Sequence, residues 1–275
     1  MIYADQLHNV REKQPLVQCI TNFVTVNDCA NMILAAGGSP SMCQDPREVE
    51  EAVENASALL CNMGAIDKAE SMILAGKKAN RLGKPVILDP VAAGGTQLRR
   101  DTARKLMEEI QFSVVRGNAS EIRFLAGQGG IGSGVDVSAL DVVTEENLPE
   151  VMKAAGEYAE RSGCVVAISG AIDVISDGEK IAVLRCGCPT MARITGSGCM
   201  LTALIAAFCG ANPGSRFEAT VAAMLAMGIS GEAAEQRRIQ NGTGNATFRN
   251  DLIDHIFNLT EQELMEEKNY EVYKR

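Results

Sequence analysis

The segment with the clearest chemical potential is Thr195-Gly196-Ser197-Gly198-Cys199, which precedes a long apolar stretch typical of a buried helix. The first backbone N–H groups of a helix have no partner inside the helix, and glycines let an anion approach them closely. Donors fixed in this way stabilise the charge on a phosphoryl group during its transfer, so Gly196 and Gly198 are candidate catalytic positions. An ordinary Gly/Ser helix cap is the alternative interpretation.

Cys199 follows directly on this turn. A helix N-terminus lowers the pKa of a thiol, so we expect a thiolate to be accessible near neutral pH. The thiolate could act as a general base toward a substrate hydroxyl or as a nucleophile in acyl transfer; the thiol could also be a small buried residue. A nucleophile needs a nearby base, and the two histidines, His8 and His255, lie away from the predicted strand ends. The pattern favours the general base.

Carboxylates and an arginine follow two other apolar runs. Asp89 ends the run 85–89, and Arg116 ends another just before Asn118-x-x-Glu121. Asn and Glu three residues apart at a helix start form a capping box, yet Glu121 and Asp89 together also suit Mg²⁺, which binds one or two carboxylates beside substrate phosphates. Arg116 is a candidate to pair with nucleotide phosphates.

These segments must be positioned by a repeating β-α pattern. Runs that are apolar on both faces predict buried parallel strands at 15–21, 58–64, 85–89, 112–117 and 164–170. Helical segments such as 66–83 and 99–110 lie between them, with Ala103, Leu106, Met107 and Ile110 on one face of the second. The pattern predicts a three-layer α/β/α sandwich with a mostly parallel central sheet, in which ligands bind beyond the carboxyl ends of the strands.

The alternation of strand-type and helical segments changes after residue 170. Asp177-Gly178 between two β-type runs predicts a hairpin over 172–186, and the small apolar residues of 199–236 predict two closely packed buried helices. The stretch 129–135 reads as a flexible glycine-rich loop, since it lacks the Lys-Ser/Thr that ends a P-loop. The absence of a composition break predicts a single domain over residues 1–275.

The composition argues against some classes of binding partner and indicates the cellular compartment. A net charge of -9 argues against a nucleic-acid surface, and no apolar run is long enough to span a membrane. The first residues lack the apolar core of a signal peptide, which predicts a cytoplasmic protein. The nine cysteines are therefore expected to be reduced thiols, most of them in apolar segments.

Taken together, the motifs resemble the hydroxyethylthiazole kinase family, a branch of the ribokinase-like superfamily. The resemblance rests on TNxV near residue 21, SPSM at 39–42, NMG at 62–64, ILDPVAAGGT at 87–96, RGNASEI at 116–122 and TGSGC at 195–199. These motifs run in order from about residue 15 to 210. The loop reads DPVAAGG where DPVGAGA is commoner in that family, a departure that keeps every functional group and bears only on loop flexibility.

The resemblance implies a ribokinase-like fold and ATP-dependent phosphorylation of the hydroxyl of 4-methyl-5-(2-hydroxyethyl)thiazole, with Mg²⁺, in a homotrimer whose sites lie between subunits. It also implies residue roles. Met42, Gly196, Asn22 and Gly64 would bind the alcohol, and Arg116, Asn118 and Ser169 would bind ATP. Asp89 and Glu121 would bind the metal and the phosphates, and Cys199 would accept the proton. The family usually has Thr where Ser169 stands, and Ser keeps the hydroxyl.

Other functions stay open from the sequence alone. A kinase of the same superfamily for hydroxymethylpyrimidine or pyridoxal would share the fold and the anion turn, although related kinases usually carry Asp where Cys199 stands. A non-catalytic thiazole sensor would have no need to keep Asp89, Glu121, Asn118 and Cys199 together. A cysteine-nucleophile hydrolase would need neither ATP nor Mg²⁺.

Overall fold

A computed structural model describes residues 2–127 and 142–275 of the chain. Its strands are β1 (Leu16–Ile20), β2 (Ser39–Ser41), β3 (Ala58–Asn62), β4 (Val86–Asp89), β5 (Val114–Gly117), β6 (Val165–Ile168), β7 (Asp173–Ser176), β8 (Lys180–Leu184) and β9 (Tyr270–Lys274). Within the described residues they form one sheet in the order β2-β1-β3-β4-β5-β6-β7-β8-β9.

The direction of the strands decides where a site can form. Strands β1 to β6 pair in parallel, whereas β7, β8 and β9 add antiparallel pairs. The carboxyl ends of all six parallel strands therefore meet at one edge of the sheet, here named the carboxyl edge. Because β7 runs back along β6, its first residue lies at the carboxyl edge as well.

Helices cover both faces of the sheet, each over its own hydrophobic core. One layer consists of α1 (Ile2–Lys13), α2 (Val26–Ala36), α8 (Ser197–Ala211), α9 (Arg216–Asn241), α10 (Asn245–Asn258) and α11 (Glu261–Glu266). The other consists of α3 (Val49–Asn55), α4 (Ala69–Arg81), α5 (Gln97–Glu109), α6 (Ala119–Leu125) and α7 (Leu148–Ser162). The predicted three-layer sandwich is confirmed.

The pair α8 and α9 anchors the first layer. Their small side chains let α8 pack against α9 on one side and against β1, β3 and β4 on the other, so nearly every residue of α8 after its first turn is buried. Two closely packed buried helices were the prediction, and it is confirmed. The contact with three central strands fixes the start of α8 beside the carboxyl edge.

Most predicted elements are present, with ends shifted by one or two residues. The hairpin is formed by β7 and β8, and the helical segment 66–83 divides into a 3-10 turn (Ile66–Lys68) and α4. In α5, Ala103 and Leu106 are buried as expected. Strands β2 and β9 were not predicted, because both are short and mostly polar or exposed. The loop predicted at 129–135 lies outside the described residues.

In the parts of the chain that the structure describes, no helix is long and apolar enough to cross a membrane. All nine cysteines are free, and Cys19, Cys29, Cys61, Cys164 and Cys209 are buried. Reduced thiols in apolar segments were expected from the sequence.

Candidate active site

The candidate residues line the carboxyl edge in the same order as the strands that carry them. From one side of the sheet to the other, they lie at or just after the ends of β2, β1, β3, β4, β5 and β6. In that order they are Met42, Asn22, Gly64, Asp89, then Arg116 with Asn118, and Ser169. Residues implied for the alcohol therefore lie at one end of the row and those implied for ATP at the other.

The anion turn lies against the middle of this row. Gly196 is the N-cap of α8 at φ +81, and α8 begins at Ser197 with the bond from Met200 N to the Gly196 carbonyl. The N–H groups of Ser197, Gly198 and Cys199 thus precede the first helical bond and have no carbonyl one turn earlier to accept them. A side chain at Gly196 would strike Thr25, so both the backbone angle and the neighbour require glycine there.

Arg116 packs directly on this turn. A Cβ at Gly198 would lie 2.6 Å from Arg116 Nη1, so the absence of a side chain makes room for the guanidinium. Arg116 Nη2 donates to Ser169 Oγ, and Nη1 lies 3.9 Å from Asp89 Oδ2. Arg116 Nε is buried without a hydrogen-bond partner among the described residues. A fixed guanidinium beside free N–H groups is well suited to hold a phosphate.

Asp89 is a buried carboxylate at the centre of the row, with 2% of its surface exposed. Its Oδ2 accepts hydrogen bonds from Asn62 Nδ2 at 3.0 Å and Thr202 Oγ1 at 2.9 Å. Burial raises the pKa of Asp89 to about 6, against the opposing effect of Arg116, and the negative charge of Glu121 raises it further. A divalent cation bound between these two carboxylates would reduce the repulsion between their negative charges.

Cys199 lies in the first turn of α8, where amide groups point at its sulfur. Asn62 Nδ2 donates to Sγ at 3.1 Å and Asn22 Nδ2 at 3.6 Å. Burial nevertheless raises the pKa of the thiol, and the neighbouring Asp89 charge adds to the increase. The expectation of a lowered pKa was therefore wrong: the desolvation of the sulfur and one nearby carboxylate outweigh the hydrogen bonds with Thr25, Asn62 and Asn22, which lower the pKa. The resting side chain is a thiol.

Glu121 and Asn118 form the capping box that the spacing predicted. Asn118 Oδ1 accepts from Glu121 N, and Glu121 Oε2 accepts from Asn118 N, both at 2.8 Å. The second oxygen, Oε1, accepts from Ala92 N at 2.8 Å and so ties α6 to the loop after β4. Each oxygen keeps a further lone pair, because a carboxylate can accept about four bonds.

The donor set at this position suits Mg²⁺. The described residues contain no group of three or more His, Cys, Asp or Glu that could hold a metal ion by itself. Asp89 and Glu121 provide hard carboxylate oxygens, and Mg²⁺ usually takes one or two of these and completes its shell with phosphates and water. The residues therefore fit a metal that depends on a bound phosphate.

Asn22, Asn62 and Gly64 form a compact polar cluster next to Cys199. Asn62 Oδ1 accepts from Gly64 N at 2.8 Å and from Asn22 Nδ2 at 3.3 Å. A Cβ at Gly64 would lie 2.6 Å from Asn22 Nδ2 and 2.7 Å from Asn62 Oδ1. Met42 is half-buried and packs against the same core as Cys199. The cluster thus holds two amides in the orientation that reaches the sulfur.

A cleft of about 820 Å³ opens on the other side of the anion turn. Its polar end contains Arg116, Asn118 and Ser169, together with Ser197 and Gly198 of the turn. Its remaining wall is largely apolar and includes Pro189, Met191, Leu201, Met224 and Met227. The three residues implied for ATP therefore share one cleft, while Met42, Asn22 and Gly64 are not among its lining residues.

Several residues of the site escaped the sequence-based interpretation. Asn62 belonged to a quoted motif but received no role, and Thr202 and Thr25 were not singled out. Thr202 lies one helical turn after Cys199, a spacing that could have placed both on one face of α8. The histidines lie elsewhere: His8 contacts Glu261, and His255 contacts Ser230. That placement gives Cys199 no imidazole partner, as expected.

Comparisons with known proteins agree with the motifs. The model of the hydroxyethylthiazole kinase family matches residues 7–262. A Clostridium acetobutylicum protein described as hydroxyethylthiazole kinase is 48% identical over 271 residues, which span 98% of this chain and 99% of that protein. A Clostridium beijerinckii protein of the same description is 47% identical over 256 residues, 92% of this chain and 91% of the relative.

Solved structures give the same result. The structure of a hydroxyethylthiazole kinase protein from Pyrococcus horikoshii has a TM-score of 0.86 and 32% identity and covers 99% of each chain. A Staphylococcus aureus pyridoxal kinase, solved with AMP-PCP and pyridoxal, has a TM-score of 0.57 at 15% identity and covers 79% of this chain and 87% of that one, a likeness of fold alone. The family resemblance inferred from the motifs is confirmed, and the chain belongs to the hydroxyethylthiazole kinase family.

Proposed function

We propose that this protein transfers the γ-phosphoryl group of ATP to the hydroxyl of 4-methyl-5-(2-hydroxyethyl)thiazole, which returns the thiazole to thiamine synthesis. The observation that carries the proposal is the position of the anion turn. Its free N–H groups lie between the amide-and-thiol cluster of Asn22, Asn62 and Cys199 and the cleft that contains Arg116. An alcohol on one side and a nucleoside triphosphate on the other would meet at the turn.

The alcohol binds on the side of β1, β2 and β3. Met42 offers an apolar, polarisable contact to a thiazole ring, and sulfur and aromatic groups attract each other by about 0.3–1.5 kcal/mol. Gly64 and Gly196 border the ring through their backbone and allow Asn22, Asn62 and Thr25 to approach closely, and Asn22 orients the hydroxyl next to Cys199 Sγ. Asn22 is well placed for this role because its Oδ1 accepts from Val24 N and Thr25 N, which fixes the side chain.

The triphosphate binds on the side of β5 and β6. Arg116 and the Ser169 hydroxyl contact its phosphate oxygens, and Asn118 borders the same end of the cleft. The N–H groups of residues 197–199 receive the charge of the transferring phosphoryl group. Loss of one preorganised donor of this kind typically costs about 2.7–4 kcal/mol of transition-state stabilisation.

Asp89 and Glu121 would hold Mg²⁺, which supplies charge neutralisation to the phosphates when it is bound. The chain keeps both carboxylates rigid for this task. Glu121 is fixed by two backbone N–H groups, and Asp89 by Asn62 and Thr202. Fixed ligands need no reorganisation when the metal and nucleotide arrive together.

The thiolate form of Cys199, reached when the thiol has released its own proton to solvent, accepts the proton of the substrate hydroxyl as the new oxygen–phosphorus bond forms and the bond to the departing ADP breaks. Transfer of a phosphoryl group passes through a loose transition state, so the alcohol needs little activation before attack. A thiolate with a raised pKa is a stronger base once formed, and the Asn62 and Asn22 amides donate to its charge. General-base assistance is worth about 10²–10⁴-fold in rate.

We further propose that the protein acts in the cytoplasm as a homotrimer with sites between subunits, formed by one kinase domain over residues 1–275. Phe23 is 90% exposed and Val24 is 58% exposed, and both follow Asn22 at the alcohol side. Large apolar side chains in such a place suit contact with a neighbouring subunit. Nine free thiols suit a reducing compartment.

The test of the reaction is product identification. The purified chain is incubated with ATP, Mg²⁺ and, separately, the thiazole alcohol, hydroxymethylpyrimidine and pyridoxal, and products are assigned by mass spectrometry. We expect a phosphate ester of the thiazole alcohol with matching ADP release. Turnover of the pyrimidine or of pyridoxal without turnover of the thiazole would overturn the assignment.

A further inference from the structure

Asp173 is a carboxylate in the nucleotide cleft to which the proposed reaction gives no role. It is the first residue of β7 and lies at the carboxyl edge, next to the end of β6. Its Oδ1 accepts from Gly170 N at 2.9 Å. Asp173 is only half-buried and lines the cleft together with Arg116 and Ser169.

One oxygen of this carboxylate is available to a ligand. Among residues 2–127 and 142–275 the single hydrogen bond to the Asp173 side chain goes to Oδ1, which leaves Oδ2 without a partner there. Burial raises the pKa of Asp173 to about 7, against the smaller lowering effects of the Gly170 N–H and of Arg116, which forms its ion pair with Asp89. At pH 8 the carboxylate is largely ionised and only accepts hydrogen bonds, so its ligand must be a donor.

The order of polar, acidic and apolar residues along the cleft wall indicates which hydrogen-bond donor of the ligand reaches Asp173. Ser169, proposed to contact phosphate, follows β6, and Asp173 begins β7, about 4.8 Å away by the usual strand spacing. Beyond Asp173 the wall becomes apolar, with Pro189, Met191 and Met227. A polar phosphate end, one carboxylate and then an apolar end match the phosphates, the sugar and the base of a nucleotide in that order. A carboxylate would repel a phosphate and suits the sugar hydroxyls.

We propose that Asp173 is a nucleotide-specificity residue whose carboxylate accepts a hydrogen bond from a ribose hydroxyl of the bound nucleoside triphosphate. The inference rests on the proposed use of ATP. It predicts that the enzyme discriminates ribonucleotides from deoxynucleotides. The free 2′ and 3′ hydroxyls are the available donors, and the experiment separates them.

The experiment compares ATP, 2′-deoxyATP and 3′-deoxyATP as phosphoryl donors at pH 8 in the wild-type protein and in Asp173→Ala. We expect kcat/KM of the wild type to fall about 10–100-fold for at least one deoxy analogue, the range for a hydrogen bond to a charged group. In Asp173→Ala that ratio should approach one, because ATP loses the contact and the deoxy analogue has none to lose. The analogue that shows the change identifies the hydroxyl.

The ratio separates recognition from a structural role. If Asp173 only holds Gly170 in place, Asp173→Ala lowers kcat/KM for ATP and both analogues equally and the ratio stays at its wild-type value, which overturns the proposal. Asp177→Ala is the matched control, because Asp177 Oδ1 also accepts backbone N–H groups but lies in the turn at the opposite edge of the sheet. It should leave the ratio unchanged.

The ribose contact can also be tested without the thiazole reaction. Calorimetric binding of ADP, 2′-deoxyADP and 3′-deoxyADP uses no alcohol, so discrimination that disappears in Asp173→Ala supports the ribose contact even where the thiazole is not phosphorylated. If Asp173→Ala does not fold, the wild type alone decides. Less than threefold discrimination against both analogues overturns the proposal.

Discussion

The contact between Gly198 and Arg116 allows activity and stability to be changed separately. In Gly198→Ala the new Cβ would lie 2.6 Å from Arg116 Nη1, whereas ordinary contact begins at 3.4 Å, so the guanidinium must retreat by about 0.8 Å. A retreat of this size shifts the guanidinium relative to Ser169 and misaligns its contact to phosphate. Hydrogen bonds of a charged group are worth about 1.5–3 kcal/mol each. We therefore expect kcat/KM for ATP to fall about 10–100-fold.

Stability should respond differently to the same substitution. Alanine is more favourable than glycine in a helix by about 1 kcal/mol, which offsets the cost of moving the Arg116 side chain. We expect the free energy of unfolding, from urea titration, to stay within about 1 kcal/mol of the wild type. Steady-state kinetics with ATP varied at saturating alcohol give the effect on activity.

A matched control comes from α7. Gly156→Ala also directs a Cβ at an arginine, 3.0 Å from Arg275 Cδ, but at the chain end and away from the cleft. It should leave kcat/KM for ATP unchanged. If Gly198→Ala keeps wild-type kinetics while it folds normally, Arg116 does not hold the nucleotide and the proposed orientation of ATP is wrong.

Further predictions concern the carboxylates, the thiol and one strained residue. Cys199→Ala should lower kcat about 100-fold and keep KM for ATP; near-wild-type turnover would remove the thiol from the mechanism. Glu121→Gln keeps one oxygen for the capping box but loses the acceptor for Ala92 N, so it should raise the Mg²⁺ concentration needed for half-maximal activity and lower the melting temperature slightly, and an unchanged Mg²⁺ titration would leave Glu121 with its structural role alone. The pKa of Asp89 is raised from 3.8 to about 6, so its favourable contribution to stability, full below pH 3.8, is lost as pH rises through 6. Asp89→Asn should therefore stabilise the metal-free protein by about 3 kcal/mol at pH 8 and by little at pH 4, as measured by urea unfolding at both pH values; equal effects at the two pH values would contradict the raised pKa. Ala92 has φ +53, a backbone angle that costs a residue with a Cβ about 1–2 kcal/mol, so Ala92→Gly should raise the free energy of unfolding by up to about 1 kcal/mol in the same assay, and a decrease would contradict the strain.

Strand ends could be predicted from the sequence because the signal is local. A run such as 85–89 is apolar on both faces and ends in Asp89, and the parallel arrangement then brings every such end to one edge. The capping box of Asn118 and Glu121 was also recognisable, since its bonds join residues three apart. Strand β2 was missed because Ser39–Ser41 has too few residues to show a period.

The properties of the site depend on contacts between distant segments, which the sequence does not reveal. Asp89 receives its hydrogen bonds from Asn62 and from Thr202, 27 and 113 residues away along the chain. The error about the Cys199 pKa has the same origin. The helix start was visible in the sequence and argues for a lower pKa, whereas the burial of the sulfur and its proximity to Asp89 follow from the packing of α8 on β3 and β4.

A neutral thiol at position 199 has an electrostatic advantage in this site. Asp89 already repels Glu121, and the negative charge of Glu121 contributes to its raised pKa. A carboxylate at position 199 would place a third negative charge where the N–H groups of α8 must attract a phosphate. The thiol is uncharged while the phosphates bind and becomes a thiolate only when it loses its own proton ahead of the transfer step, so the first turn of α8 keeps its attraction for the incoming phosphoryl group. The raised pKa of Cys199 is on this argument a property of the anion site, because the environment that keeps the sulfur neutral also leaves the turn free to bind phosphate.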